Sequence, residues 1–483
     1  MVAGAAAGGC ITQIIALGAA DKYLTQNPTI TYWRFKYNKY TNFALEAIEQ
    51  AFQTQVMFGS DTQLTMNRTG DMIYWTYVLV DLPAIQASFQ TGPASNAVFP
   101  AFTKAALCDP CGDNASGTNL GIPIPGCTYP FQASDSTTMG VDSNGNPDPT
   151  TNSWCCWTNA IGQWLVRRAS IVIGGQVIDT VYADYLYMWE ELSGKPGKRL
   201  QELIGKDSNF ESLIQDSQRD RRLYIPLPFW FTQSSGNALP VVSLQFHGIQ
   251  LHVSFAELAT CIQTSTPPDG SYMQVSRWNS PTTSISEQDL RALIETTYVY
   301  LDIEERDRLS MGSFEQLITQ VQYYNLATRQ QQVRLNLNFN HPVIELVWAV
   351  RRSCQQVLNN NFNYSGVNGE DPVRAVSLKL NNLPRFSPKE GRYFRLVQPW
   401  QSHTNIPESY VYSYSFALHP EEAQPSGSCN FSRIDNIELT LDMQVGISTA
   451  TGSSTGDFYV MVYARNWNVL RYRDGLAGLA FSN

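Results

Sequence analysis

One series of strand-like segments runs through this chain twice, in the same order. That doubling restricts the fold more than any single motif does. Gln63–Val80 (QLTMNRTGDMIYWTYVLV) stands against Val333–Val350 (VRLNLNFNHPVIELVWAV), and RASIVIGGQVI from Arg168 against RAVSLKLNNLPRF from Arg374. PLPFWF, a loop and VVSLQFHGIQLHVSF stand against YSYSFAL, a loop and FSRIDNIELTLDM. TYVYLDIEERDRL from Thr297 stands against DFYVMVYARNWNVL from Asp457. A repeat unit of this length is a whole domain and not a solenoid element. The spacing between copies shrinks along the chain, so the first copy carries the longer insertions.

The segments alternate with the period of half-buried strands. Ile437, Leu439, Leu441, Met443 and Val445 alternate with Glu438, Thr440, Asp442 and Gln444, and Val333–Phe339 does the same. A slip of one residue would turn each apolar face into water, so register is well specified. In VVSLQFHGIQLHVSF the apolar parity changes at His247–Gly248, which predicts a β-bulge there. Gly174–Gly175 sits where a two-residue hairpin turn needs positive φ, and Asn381–Asn382 holds the same place in the second copy. Helical spacing is confined to Tyr182–Leu192, with Leu200–Ile204 as a short second helix. Many strands and few helices predict an all-β chain of two tandem antiparallel jelly-roll sandwiches, with short helices in the loops. The expected division is an N-terminal arm at 1–27, a first jelly roll at 28–304 with a long insertion at 83–164, a linker at 305–316, and a second jelly roll with its tail at 317–483.

Charge and hydropathy exclude several classes. The chain has 483 residues and a net charge of −9, with basic clusters only at Lys195–Arg199 and Arg219–Arg222. That balance repels nucleic acid, so no direct nucleic-acid binding is expected. No apolar run is long enough to span a bilayer. The start, MVAGAAAGGCITQIIALGAAD, lacks the basic segment of a signal peptide, and Val2 stands where myristoylation needs glycine. It reads as a small-residue arm that docks on a neighbour. With 16% charged and 12% aromatic residues, the chain has much apolar and aromatic surface to place, which suits a large subunit interface.

Several blocks, spread in order over nearly the whole chain, resemble one family. FALHPEEAQPSGSCNFSRIDN (Phe416–Asn436) and YARNWNVLRYRDGLAGLA (Tyr463–Ala480) resemble the major capsid protein of the nucleocytoplasmic large DNA viruses, with algal-virus and marseillevirus members most alike. ALGAADKYLTQNPTITYW with YNKYTNFALE, NRTGDMI, IGGQVID, IPLPFWF, ALPVVSLQFH and YLDIEER add to the resemblance. It implies a double jelly roll per subunit, a homotrimer with a pseudo-hexameric outline, and capsomers that tile an icosahedral shell over an internal membrane. Implied partners are neighbouring capsomers, minor capsid or cement and vertex proteins, and the internal membrane through the N-terminal arm. The implied location is the virion, after assembly in host cytoplasm. The long, nearly uncharged segment Pro83–Trp164 departs from the family pattern, which has a far shorter loop there. A second reading is a two-domain jelly-roll carbohydrate-binding protein or glycosidase relative.

Candidate chemistry is sparse, and neither a cofactor nor a catalytic set is expected. Cys108, Cys111, Cys127, Cys155 and Cys156 cluster in the insertion, where disulfide staples, free thiols and a zinc site are the three readings. Cys108-x-x-Cys111 is only half of a zinc pattern, so no metal site is assigned. Sequons at Asn114 and Asn363 fall in polar loops and are candidate glycosylation positions. The doublets Glu190–Glu191, Glu304–Glu305 and Glu421–Glu422 do not form a glycosidase pair by themselves, because adjacent side chains on a strand point to opposite faces. His403 has no acidic partner at strand or helix spacing. GxSxG and phosphate-loop patterns are absent.

Overall fold

The computed structural model describes residues 7–33, 37–85, 155–264, 285–444 and 458–481, apart from 196, 199, 208–209, 218 and 358. The chain forms two compact units, Met1–Phe43 and Ala44–Asn483. The first carries two short helices, α1 (Ala7–Ile15) and α2 (Ala19–Thr25). Both sandwiches lie in the second unit.

The first sandwich is built from β1 (Phe43–Ala51), β2 (Asp61–Thr65), β3 (Met72–Leu82), β4 (Val166–Ile173), β5 (Gln176–Tyr182), β6 (Arg221–Pro226), β7 (Ile249–Phe255) and β8 (Arg291–Leu301). Its two sheets have the orders β1-β8-β3-β6 and β2-β7-β4-β5. The second is built from β9 (Phe314–Thr328), β10 (Gln332–Asn336), β11 (Pro342–Arg352), β12 (Val373–Leu380), β13 (Leu383–Pro384), β14 (Val411–Ser415), β15 (Ile437–Met443) and β16 (Phe458–Arg473). Its sheets have the orders β9-β16-β11-β14 and β10-β15-β12-β13. Each strand of the second sandwich holds the place of the strand eight earlier. Both halves are jelly rolls of one topology, so the chain is a double jelly roll.

Local chemistry accounts for the elements. In β7 and β15 every second residue is buried, as the alternation requires. The β4–β5 turn places Gly174 and Gly175 at φ +58° and +83°, and the β12–β13 turn places Asn381 and Asn382 at +49° and +63°. Only these residue types occupy that region readily. A helix α3 (Ala183–Ser193) follows β5. Between the rolls runs α4 (Ile303–Met311), capped by the Asp302 carboxylate, which accepts the Ile303 N–H at 2.8 Å. Asp71 ties this connection to the first roll, accepting the Leu301 N–H at 2.9 Å and lying 3.0 Å from the Arg306 guanidinium.

The expected bulge at His247–Gly248 does not form. Residues 241–248 make turns, and the strand begins only at Ile249. The apolar residues before it find partners outside a ladder. Val241 and Leu244 are buried, the Phe246 N–H donates to Gly475 O at 3.0 Å, and the Arg68 guanidinium holds Gln245 O and His247 O. The parity change therefore marks an exit from the sheet.

β11 and the first half of β16 are buried on both faces. One face serves the second roll's own core, where Trp348 is fully buried with ring centroids of Phe394 and Tyr412 at 5.5 and 5.8 Å. The other face carries Tyr463 and Arg465 toward the first roll. Trp348→Ala should lower stability by about 3–5 kcal/mol, the usual cost of deleting a fully buried indole. Chemical denaturation of the two chains measures it.

Candidate functional site: the seam between the two sandwiches

Those residues singled out from sequence that the structure describes do not converge. Cys108, Cys111, Cys127 and Asn114 lie outside the described residues. Cys155 begins a short strand, Cys155–Trp157, paired with Ile262–Thr264, and Cys156 in the same strand is fully buried. Asn363 is 1% exposed, with its Oδ1 accepting the Ser365 N–H at 3.0 Å and its Nδ2 buried without a hydrogen-bond partner. The folded chain leaves no room for a glycan on that nitrogen. Among the described residues no group of three His, Cys, Asp or Glu side chains is arranged to hold a metal ion.

Polar and charged side chains converge instead where the two rolls meet. Helix α3 of the first roll is held at both ends by the second. At its start, Asp184 Oδ1 accepts from Arg351 Nη1 at 2.9 Å and from the Tyr364 hydroxyl at 2.8 Å. At its end, the Asn405 N–H donates to Leu192 O at 2.9 Å. The Glu191 carboxylate takes Lys206 Nζ at 2.5 Å and the Glu408 N–H at 3.0 Å.

Strand β5 meets strand β9 beside this helix. Gln320 Nε2 donates to Ile178 O, and the Val321 N–H donates to Asp179 Oδ1 at 3.0 Å. Tyr182 packs on Tyr323 with ring centroids 4.8 Å apart, and Tyr323 stacks on Tyr463 at 4.9 Å. Farther along, Gln233 Nε2 donates to Thr319 Oγ1 at 3.0 Å and Gln316 Nε2 to Asn237 O at 2.8 Å.

Arg465 is the centre of the seam. Its side chain is 2% exposed. Nη1 donates to Pro420 O at 2.7 Å and lies 3.5 Å from the Glu345 carboxylate. Nη2 donates across the seam to Gln233 Oε1 at 3.0 Å, and the guanidinium carbon sits 4.4 Å from the Trp189 ring centroid of the first roll. Glu345, also fully buried, has a second cation in His403, whose Nε2 lies 3.2 Å away. His403 Nδ1 lies 3.1 Å from Glu421, which also accepts the Thr404 N–H at 2.9 Å.

The electrostatics follow from burial. Desolvation alone would push the His403 imidazole down, but the Glu345 and Glu421 carboxylates outweigh it and raise the pKa to about 9. For Glu421, the bonds from His403 and Thr404 outweigh burial and hold the carboxyl below its ordinary range. Burial raises Asp179 to about 7, against the N–H groups of Val321 and Thr180 and the charge of Arg465. No spacing rule finds this cluster, because its members come from separate strands and loops. Three members of the acidic doublets have structural partners, and Glu304 and Glu422 are exposed. Glu190 accepts from Gln163 at 2.5 Å, Glu191 and Glu421 belong to the seam, and Glu304–Glu305 lie on α4.

Comparison with known proteins places this geometry. Residues 305–478 match the family described as large eukaryotic DNA virus major capsid protein, and residues 31–107 and 112–302 match its companion, major capsid protein N-terminus. The major capsid protein of Phaeocystis pouchetii virus is 30% identical, over 98% of this chain and 100% of that protein. That of Paramecium bursaria Chlorella virus 1 is 28% identical, over 98% and 100%. Among solved structures, the quasi-atomic PBCV-1 virus capsid matches with a TM-score of 0.67 at 25% identity, over 94% of this chain and 100% of the other. The Faustovirus major capsid protein shares the fold with a TM-score of 0.67 at 13% identity, over 96% of each chain.

Two measurements test the seam. Asp184→Ala should cost about 3–5 kcal/mol by leaving Arg351 buried without its carboxylate, and Asp184→Ala with Arg351→Met should recover most of the loss. His403 has its pKa raised on folding, so its contribution is complete below the free-imidazole value of about 6.5. It is then lost as pH rises through about 9. Across that window the melting temperature of His403→Gln should fall less than that of the parent chain.

Proposed function

This chain belongs to the large eukaryotic DNA virus major capsid protein family, and on that premise we propose that it forms homotrimers with a pseudo-hexameric outline that tile an icosahedral shell. It is a virion structural protein with a double jelly-roll fold. The observation that carries the proposal is the pairing of two jelly rolls of one topology in a single compact unit. Three such chains supply six like blocks, an outline that packs on a flat facet. The two rolls of each chain remain free to differ in their loops.

The seam supports a mechanical role. Its buried charges and cross-roll hydrogen bonds fix the angle between the blocks, which a tile needs and a solvent-linked tandem domain lacks. The work assigned is self-association and not catalysis. Trimer contacts of the obligate kind bury about 2,000–5,000 Å². Partners proposed beyond the trimer are neighbouring capsomers and minor capsid, cement and vertex proteins, with assembly in host cytoplasm. The N-terminal arm is assigned to contacts with a neighbour or the internal membrane, supported by Ile11, Ile14 and Ile15 of α1, all more than half exposed. Among the described residues no helix is long and apolar enough to cross a membrane.

Sedimentation velocity and native mass spectrometry at micromolar concentration should show a trimer. A chain that stays monomeric under these conditions overturns the proposal.

A further inference from the structure

We propose that the joint between the two rolls of one chain is used again between chains: the outer edge of β1 is covered by the β12–β13 hairpin and the Phe416–Ser428 loop of a second copy. The inference rests on the trimeric reading and names the surfaces that make it.

Within the chain, β9 is an edge strand, and the first roll covers it with two pieces. One is β5, through Ile178, Asp179 and Tyr182. The other is the segment after β6, through Gln233 and Asn237. As a result Ile318, Thr319 and Gln320 in the middle of β9 are buried.

The topological equivalent of β9 is β1, which lies at the same edge of the first roll's sheet. Among the described residues of the second unit, β1 has no such cover. Leu45 is 49% exposed, and among residues 44–51 only Gln50 is buried. An unpaired strand edge with apolar side chains is a template for association.

The covering pieces also have uncovered equivalents, and they are on the second roll. β13 stands for β5 and follows the same kind of positive-φ turn. Its Leu383 is 71% exposed. The loop after β14 stands for the segment after β6, since Pro226 faces Tyr77 on β3 and Ser413 faces Val347 on β11. Its Leu418 is 72% exposed. The charges also fit. Exposed Arg385 lies two residues from Leu383, while β1 presents Glu46 and Glu49. Among the described residues of the second unit, the first roll's covering surface is used and the second roll's is not. Among the same residues, the second roll's edge is covered and the first roll's is not. A joint repeated in this head-to-tail sense is heterologous, the kind that closes into a ring.

The test replaces the anchors. Leu383→Glu with Leu418→Glu on one surface, or Leu45→Glu on the other, should raise the concentration at which the trimer dissociates by about 30-fold or more, as for a central interface anchor. Circular dichroism and melting should match the parent chain. Leu45→Glu combined with Leu383→Lys should recover part of the loss, which a general structural defect would not. Hydrogen exchange on the unaltered trimer gives a check that needs no variant: peptides covering 44–51 and 381–386 should be slower in the trimer than in monomer obtained by dilution. A parent trimer that tolerates these substitutions, or shows no protection in those peptides, overturns the joint and leaves the capsomer reading standing. A parent chain that is only monomeric removes both.

Discussion

Two sandwiches act as one building block only if the seam between them cannot slide, and the buried guanidinium of Arg465 is where sliding costs most. Its hydrogen bonds reach Pro420 on its own roll and Gln233 on the other, and its face packs on Trp189. A charge this far from water has no cheap alternative partner, so any displacement leaves it desolvated and unpaired. Glu345 and His403 extend the same constraint into the second roll, and Asp184 with Arg351 repeats it at the start of α3. Apolar contacts alone would tolerate small shifts at little cost. A chain of buried, directional partners does not, and the angle between the rolls is fixed by it.

That seam also explains which strands the sequence makes easy to read. Strands with one wet face, such as Ile249–Phe255 and Ile437–Met443, keep strict alternation and were legible in register. The two hairpin turns were legible because positive φ restricts residue choice so strongly. The doubled order of segments became two sheets of identical topology per roll. β11 and β16 lost their alternation because the seam buries their second face, and periodicity cannot tell such strands from other apolar runs. The segment Val241–His247 misled for the opposite reason. It alternates like a strand, yet its partners are the turn at Gly475 and the core beneath, which no local pattern reports.

The seam residues themselves were only half legible. Phe416–Asn436 and Tyr463–Ala480 stood out as idiosyncratic blocks, and the structure gives several of their residues a task. Arg465 and Pro420 meet at the seam, Glu421 holds His403, and Asn468 binds Gln320. What could not be read was the partner of each. His403 lies in a loop and has no carboxylate at strand or helix spacing, because Glu345 reaches it from β11. Buried ion pairs assembled from distant segments leave no periodic trace, and of the doublets that did attract notice Glu191 and Glu421 turned out to be members of such pairs.

The duplication gives the two kinds of joint different physical demands. The joint inside the chain forms during folding, between segments held at high effective concentration by the covalent link, so it can bury Arg465, Glu345 and Asp179 without exposing them first to a separate soluble life. A joint between chains must be stable in solution as two open surfaces and then close by encounter. Bare buried charges suit that badly, because each would be hydrated before association and stripped of water during it. A few exposed leucines beside surface charges suit it better, since the apolar contacts give affinity and the charges give orientation and rate. The two rolls differ in this way. Leu45, Leu383 and Leu418 stand in solvent where the paired surfaces inside the chain carry glutamines, an aspartate and stacked tyrosines. If both joints share one geometry, as proposed, the covalent copy can be polar and rigid while the copy between chains keeps apolar anchors.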